Sequence, residues 1–427
     1  MPHFLAPSIA LPSLPFISGE YEFAYEAKCR VDSHQSLILV RFKKDDTLQN
    51  DTLGDEFSHN DFFLRKVERL NKNNSIIKCE KSSKSQPTGI IKNALKALME
   101  QQSNQHLITH NLNNNSPRQN LQSPFFKSVQ HFLDFSQKYP QKCLIEVGFG
   151  SGRHLLHLAQ SNPHLMCIGI EIHSPSIEQI LRQIELLGLT NLYIIHTDAR
   201  ILLEILPPCI ALGIYVHFPV PWNKKPHRRV FCKAFLEESL RVLDDNALLH
   251  LRSDDETYFR DALDLALSHK HINLQVQKNH KNAIVSKYEA RWERQNKDIF
   301  DLKIFKTTTQ GQDSCIESAK NTQNTEKTFI FDKILRKNLD NYTNFPYKKI
   351  TKDWFLHIDN VYYTKDVYIL ALCFGDFNQP QNKFLQISFD TSCSTHYVGG
   401  DPIPTKAAHK AHRHLMEVLS VDSKDKE

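Results

Sequence analysis

Residues 142–160 read KCLIEVGFGSGRHLLHLAQ. The run 142–147 is short and mostly apolar, the pattern of a strand buried on both faces. In RHLLHLAQ (153–160) the apolar positions recur at helical spacing instead. Between the two stand Gly148, Gly150 and Gly152. Glycine lets a chain turn sharply and lets a ligand approach the backbone with no side chain in the way. A strand that passes through such a turn into a helix reads as the first unit of an α/β fold.

The alternation continues downstream. LMCIGIEI (165–172), LYIIHT (192–197), ALGIYVHF (211–218) and ALLHLRS (247–253) read as strands. SIEQILRQIELLGL (176–189) reads as a helix with Gly188 near its end. RVFCKAFLEESLRVL (229–243) reads as another, with apolar residues at 230, 231, 235, 236, 240 and 243 on one face. Strands that are apolar throughout and separated by helices imply a mostly parallel sheet covered on both sides. Ligands of such a sheet sit beyond the C-terminal strand ends.

Two stretches rich in Asn, Gln, Ser and Thr, 101–124 and 306–328, read as linkers or long loops. They divide the chain into an N-terminal α+β module (1–105), a polar linker (106–124), a central α/β domain (125–305), a second linker (306–328) and a C-terminal α+β module (329–427). The flanking modules share a loose plan. SLILVRF (36–42) and VYILALCF (367–374) are strand-like, and each is followed by a helical pattern, GIIKNALKALME (89–100) and TKAAHKAHRHLMEVL (405–419).

Composition bounds the class. With 427 residues, 40% hydrophobic and 24% charged, the chain is ordinary globular protein with room for two or three domains. A net charge of +5 permits a polyanionic partner without implying one. Nine widely spaced cysteines with no C-x-x-C argue against a disulfide framework and a thiolate zinc site. The N-terminus lacks a basic leader and is broken by Pro2, Pro7, Pro12 and Pro15, and no run of about 18 apolar residues occurs. A cytoplasmic protein is expected, with no membrane segment, no metal and an open oligomeric state. His409, His412 and His414, without acidic or thiolate partners beside them, read as surface residues.

The glycine loop carries more information than its fold. A dinucleotide fingerprint wants G-x-G-x-x-G, but position 153 is Arg and the glycines fall as G-x-G-x-G. Glu146, two residues before the first glycine, would repel a pyrophosphate and attract a cationic amino-acid moiety. S-adenosyl-L-methionine (SAM) carries a sulfonium and an ammonium and no phosphate. Glu171 ends the second strand, where a carboxylate can accept both ribose hydroxyls. Asp198 follows the third, placed to accept from the adenine amino group. Each acid alone also reads as a loop residue or helix cap; three on successive strands, with Gly148, Gly150 and Gly152, point to SAM.

HFPVPWNKKPHRR (217–229) ends the fourth strand with an aromatic-proline turn and a positive run: Lys224, Lys225, Arg228, Arg229, then Lys233. Cations near a helix N-terminus oppose the macrodipole, whereas RNA phosphates give them a purpose. Trp222 reads either as a base-stacking residue or as a packing anchor, and His217 as a strand-end residue.

EVGFGSG (146–152), GIEIHSPSIEQIL (169–181), NLYIIHTDA (191–199), HFPVPWNKKPHRR, LHLRSDDETYF (249–259) and SKYEARWERQNKDIFDL (286–302) resemble, in order, the motifs of the bacterial tRNA (guanine-N7-)-methyltransferases. The resemblance covers about 140–305. It implies a Rossmann-like class I SAM methyltransferase core whose final strand is antiparallel, and methylation of a variable-loop guanine, position 46, in tRNA. It implies Glu146, Glu171 and Asp198 as SAM ligands, and Lys224, Asp254, Ser286, Lys287, Tyr288 and Glu289 as substrate-site residues. The departure is Val220, where the family has Asp in Phe-Pro-Asp-Pro-Trp. Asp254 and Glu289 are then the candidate catalytic acids, and Lys225, Arg228 and Arg229 the candidate RNA contacts. Two other readings stay open: a small-molecule SAM methyltransferase, which leaves the basic run and the flanking modules without work, and a non-catalytic RNA-binding protein on a methyltransferase scaffold.

Overall fold

The computed structural model describes the chain apart from residues 43–60, 84–87, 103–106, 114–122, 134–141, 281–296, 308–327, 341–345, 378, 391–392 and 421–427. Two compact units result: Met1–Pro117 with Thr328–Glu427, and Arg118–Lys327.

The N-terminal part supplies β1 (His3–Ala6), β2 (Phe16–Ser18), β3 (Tyr21–Cys29), β4 (Gln35–Phe42), β5 (Phe62–Arg69), β6 (Asn74–Cys79), α1 (Thr88–Glu100) and β7 (Thr109–His110). The central part supplies β8 (Phe126–Lys127), β9 (Cys143–Val147), α2 (Arg153–Ser161), β10 (Met166–Glu171), α3 (Ser174–Leu187), β11 (Leu192–His196), α4 (Ala199–Ile205) and β12 (Ala211–His217). It continues with α5 (Lys233–Val242), β13 (Leu243–Ser253), α6 (Glu256–Leu267), β14 (Ile272–Lys278) and β15 (Phe300–Lys306). The C-terminal part supplies α7 (Arg336–Asp340), β16 (Tyr347–Ile350), β17 (Phe355–Tyr363), β18 (Val367–Gly375), β19 (Pro380–Ser388), β20 (Thr395–Tyr397) and α8 (Lys406–Ser420).

In the central unit the sheet order is β14-β15-β13-β12-β9-β10-β11-β8. The pairs from β8 through β13 are parallel, while β15 runs antiparallel to both β13 and β14. The antiparallel final strand is the one the resemblance implied. Leu144 and Ile194 pack with Leu155, Leu158, Ile177, Ile180 and Ile184 from α2 and α3 in one buried cluster. Each such side chain contributes about 1.5–3 kcal/mol on burial. One boundary differs from expectation. The helix expected from 229 begins only at Lys233, because Pro226–Arg228 forms a single 3-10 turn and Arg229 and Cys232 are extended.

The flanking modules are corrected from two bodies to one. Their strands form a single antiparallel sheet in the order β20-β19-β18-β17-β3-β4-β5-β6-β1-β7. The seam is narrow: β17 meets β3 only through Tyr362↔Cys29 and Tyr363↔Lys28. Apolar packing completes it. Ile38 and Val40 of β4 pack with Ile91, Leu95 and Leu98 of α1, and Leu370, Leu372 and Phe374 of β18 pack with Ala408, Leu415 and Leu419 of α8. The alternate residues Leu37, Leu39, Ile369 and Ala371 gather in a third cluster with Phe63 and Phe384, which meet edge to face at 5.1 Å. Both faces of these strands are therefore buried, which is why their sequences are apolar throughout.

Part of the first polar stretch is ordered sheet edge: β7 pairs with β1, and Leu112 is buried in the core beneath it. Of the three histidines of α8, expected at the surface, His412 is buried and His409 and His414 are only partly exposed. His409 stacks on Phe329 at 4.5 Å, His414 Nε2 meets the Tyr347 hydroxyl at 2.7 Å, and His412 is 5% exposed. The aromatic lining of this core draws them inward. Among the described residues, Cys29, Cys79, Cys143, Cys167, Cys232, Cys373 and Cys393 are free thiols. Among the described residues, no helix is long and apolar enough to cross a membrane.

Candidate active site

β9 delivers Glu146 and the glycine loop to the C-terminal edge of the sheet. Gly148, Gly150 and Gly152 all have left-handed φ (69°, 53° and 73°), which disfavours other residues there. The loop is also tightly packed at one end and open at the other. A Cβ on Gly152 would stand 2.5 Å from Ile180 Cδ1, while one on Gly148 would meet nothing within 4 Å. The backbone at Gly148 thus faces open volume.

Glu171 holds this loop. Its Oε2 accepts from Gly150 N at 2.9 Å, and its Oε1 accepts from Ile172 N at 2.8 Å and His173 N at 3.0 Å. Because Glu171 lies opposite His196 in the sheet register, Asp198 falls just beyond the next strand end. There it caps α4: Oδ1 accepts from Arg200 N and Nε, both at 2.9 Å, and Oδ2 from Arg200 Nη2 at 3.0 Å. Glu146 is 3% exposed and its Oε2 lies 3.0 Å from His154 Nδ1. Burial raises its pKa, and the His154 partner works against that rise.

The loop after β12 is braced from α6. Arg229, expected among the RNA-facing cations, is only 4% exposed. Its Nε donates to Pro221 O at 2.6 Å, its Nη2 to Asn223 Oδ1 at 3.0 Å, and its Nη1 to Asp261, with the guanidinium 4.8 Å from the Tyr258 ring. Asn223 Nδ2 in turn donates to Asp255, the cap of α6, at 2.8 Å. Arg229 therefore shapes the loop from inside. Lys224, Lys225 and Arg228 are exposed, and Lys233 opens α5 beside Glu237 at 3.8 Å. Trp222 is 40% exposed with the Arg228 guanidinium 5.2 Å from its ring, so it is not a buried anchor. Val220 is exposed.

Asp254 follows β13 and pairs with Lys297 at 3.3 Å. Ser286, Lys287, Tyr288 and Glu289 lie outside the described residues.

A polar line crosses the same sheet face and had not been singled out from sequence. His217 Nε2 lies 3.3 Å from His250 Nδ1, and His250 Nε2 lies 2.7 Å from Asp301 Oδ1. Arg252 Nη1 donates to both oxygens of Asp301, at 2.9 and 3.2 Å. Burial pushes His217 well below the usual imidazole range, helped by His154, His250 and Arg252. His250 is also lowered by burial, against the pull of Asp301. A signal was present: His250 and Arg252 alternate with Leu249 and Leu251 in an apolar run, and buried polar groups need partners.

The family described as "Putative methyltransferase" matches residues 140–302. A Helicobacter hepaticus protein described as "tRNA (guanine-N(7)-)-methyltransferase" is 63% identical over 98% of this chain and 100% of its own length. Proteins of the same description from Wolinella succinogenes and Helicobacter pylori (strain J99) are each 38% identical over 98% of this chain, and over 100% and 97% of their own lengths. These likenesses run through both compact units.

Proposed function

The chain belongs to the family of tRNA (guanine-N(7)-)-methyltransferases, and from that membership we propose that it transfers the methyl group of SAM to N7 of a variable-loop guanine, position 46, in tRNA. One observation carries this reading: the full-length likeness to the Helicobacter hepaticus protein. The loop geometry supports the cofactor. Gly148 leaves its backbone open, and the Glu171 carboxylate, with about four acceptor directions, is held by three backbone N–H groups and has one left, for one ribose hydroxyl instead of the two expected. Asp198 stands one strand further along for the adenine end, and Glu146 places an acid under the loop.

Bound SAM supplies a methyl group on a sulfonium centre. Guanine N7 presents its lone pair in the neutral base, so no proton has to leave first. The protein's task is to hold and orient, an effect worth up to about 7–11 kcal/mol. Asp254, Glu289 and the Ser286–Tyr288 segment are assigned to the guanine side, where a carboxylate favours the charge that develops on the ring. Lys224, Lys225 and Arg228 are assigned to tRNA phosphates, because they are exposed beside Val220 and Trp222.

The test uses purified chain, labelled SAM and unmodified tRNA, followed by digestion to nucleosides. Label in 7-methylguanosine is expected. Label confined to small molecules would favour a small-molecule methyltransferase, and RNA binding without label would favour a non-catalytic scaffold.

A further inference from the structure

The ends of β9 and β12 and the first turn of α2 bring Glu146, His154 and His217 together, with one donor atom of each within 4.8 Å of the others. We propose that these three side chains bind one divalent transition-metal ion of the zinc type.

Proton bookkeeping along the polar line supports the assignment. Asp301 accepts from Arg252, so His250 Nε2 carries the proton it shares with Asp301, and His250 Nδ1 is an acceptor. His217 Nε2 must then be the donor in the contact between the two rings. The other nitrogen of His217 is left with a lone pair, and among the described residues no hydrogen bond reaches it. A ligating histidine usually donates its other ring N–H to an acceptor that fixes its tautomer, and His250, oriented by Asp301, takes that place for His217.

On the other side, His154 Nδ1 and Glu146 Oε2 share a proton across 3.0 Å. A metal ion takes the place of that proton, which moves to Nε2 if it belongs to a neutral His154 and passes to solvent if it belongs to Glu146. Neighbouring ligands at about 2.0–2.1 Å from a tetrahedral zinc stand roughly 3.3 Å apart; the His154–Glu146 pair at 3.0 Å is already close to that, and the His217 donor, within 4.8 Å of both, has to draw in. His154 is partly exposed and can adjust. Two imidazoles and a carboxylate suit zinc and its neighbours better than calcium or magnesium. Three protein ligands that leave a fourth position open match the three-ligand zinc sites.

A consequence rests on the cofactor reading above. A dication held by Glu146 cancels the acid under the glycine loop and repels a cationic cofactor. Zinc and SAM therefore weaken one another's binding, a partial exclusion.

The experiment uses full-length chain without a histidine tag, stripped with chelator. Zinc is titrated against a chromophoric chelator, and cobalt(II) is followed by its visible bands. One ion per chain with Kd of about 1 μM or tighter is expected. H154Q should weaken binding by more than tenfold and remove the cobalt bands, and H250A should weaken it by about 10–100-fold. No binding at micromolar metal, or equal binding by H154Q and the double variant H154Q/H217A, overturns the site. Where variants at 217 fail to fold, the wild-type titration and H154Q decide. SAM affinity measured in saturating zinc should fall about tenfold or more. Unchanged affinity overturns the exclusion and leaves the metal site standing; failure of SAM to bind the metal-free chain counts against the cofactor reading instead.

Discussion

Glu171 Oε2 accepts the backbone N–H of Gly150 across 2.9 Å, so the carboxylate that ends one strand fastens the turn that follows its neighbour. Charge-assisted bonds of this type contribute about 1.5–3 kcal/mol. Glu171→Gln should therefore loosen the loop and weaken SAM binding by about 10–100-fold, read by calorimetry. An affinity within a factor of two of wild type would remove Glu171 from the site.

Gly148 and Gly169 separate ligand approach from packing. A Cβ at Gly169 would lie 2.3 Å from Leu155 Cδ2 and 3.0 Å from Ile194 Cδ1. Gly169→Ala should cost about 1–3 kcal/mol in chemical denaturation. Gly148→Ala meets no clash but holds φ at 69°, a cost of about 1–2 kcal/mol. It should lower SAM affinity by more than its loss of stability accounts for.

Arg228 and Arg229 are adjacent in sequence and opposite in exposure. Arg228→Ala should leave the melting temperature unchanged and lower the slope of log K for tRNA against log salt by about 0.7–0.9. Arg229→Ala should cost about 1–3 kcal/mol of stability, since it removes buried donors from Pro221 O and Asn223. Equal effects of the two substitutions on both measurements would contradict the geometry.

Val220→Asp puts an acid at an exposed position, so stability should change by no more than about 0.5 kcal/mol. Single-turnover methylation should rise by about tenfold, equivalent to about 1.4 kcal/mol of transition-state stabilisation. An unchanged rate would mean that the acids elsewhere in the cleft already supply the charge.

His412 ties α8 to pH. Its Nδ1 meets the Tyr397 hydroxyl at 2.7 Å and its Nε2 donates to Ile330 O at 2.8 Å. Burial lowers its pKa from 6.5; the Ile330 carbonyl and Asp332 oppose that, and His409 adds to it. The unfolded chain then binds the extra proton more readily below pH 6.5. Stability is complete above that value and falls as pH drops toward the folded pKa, by at most about 1.4 kcal/mol per pH unit for this one group. Hydrogen exchange of α8 at pH 7 and pH 5 should show faster opening at the lower pH, and H412Q should flatten the difference.

Local periodicity carried most of the central unit. The strands at 143–147, 166–171 and 192–196 and the helices between them announce themselves through apolar spacing, and the glycine loop through its glycines. What stayed hidden depends on partners far away in sequence. Nothing near Arg229 announces Asp261 or the Tyr258 ring, and without them the residue looks like one more exposed cation. His217, His250 and Asp301 form a line only when β12, β13 and β15 lie side by side. The seam between Tyr362 and Cys29 is likewise invisible to any window of neighbouring residues.

That seam has a cost during synthesis. Tyr25 donates to Gln386, 361 residues further on. At about 5–20 residues per second, the N-terminal strands wait roughly 20–70 seconds for their counterpart. Leu37, Leu39 and Phe63 lack their cover until Ile369 and Phe384 arrive. The whole catalytic unit emerges in the interval, so strands made before it are finished only after it, and they are the part that most needs protection from aggregation while they wait.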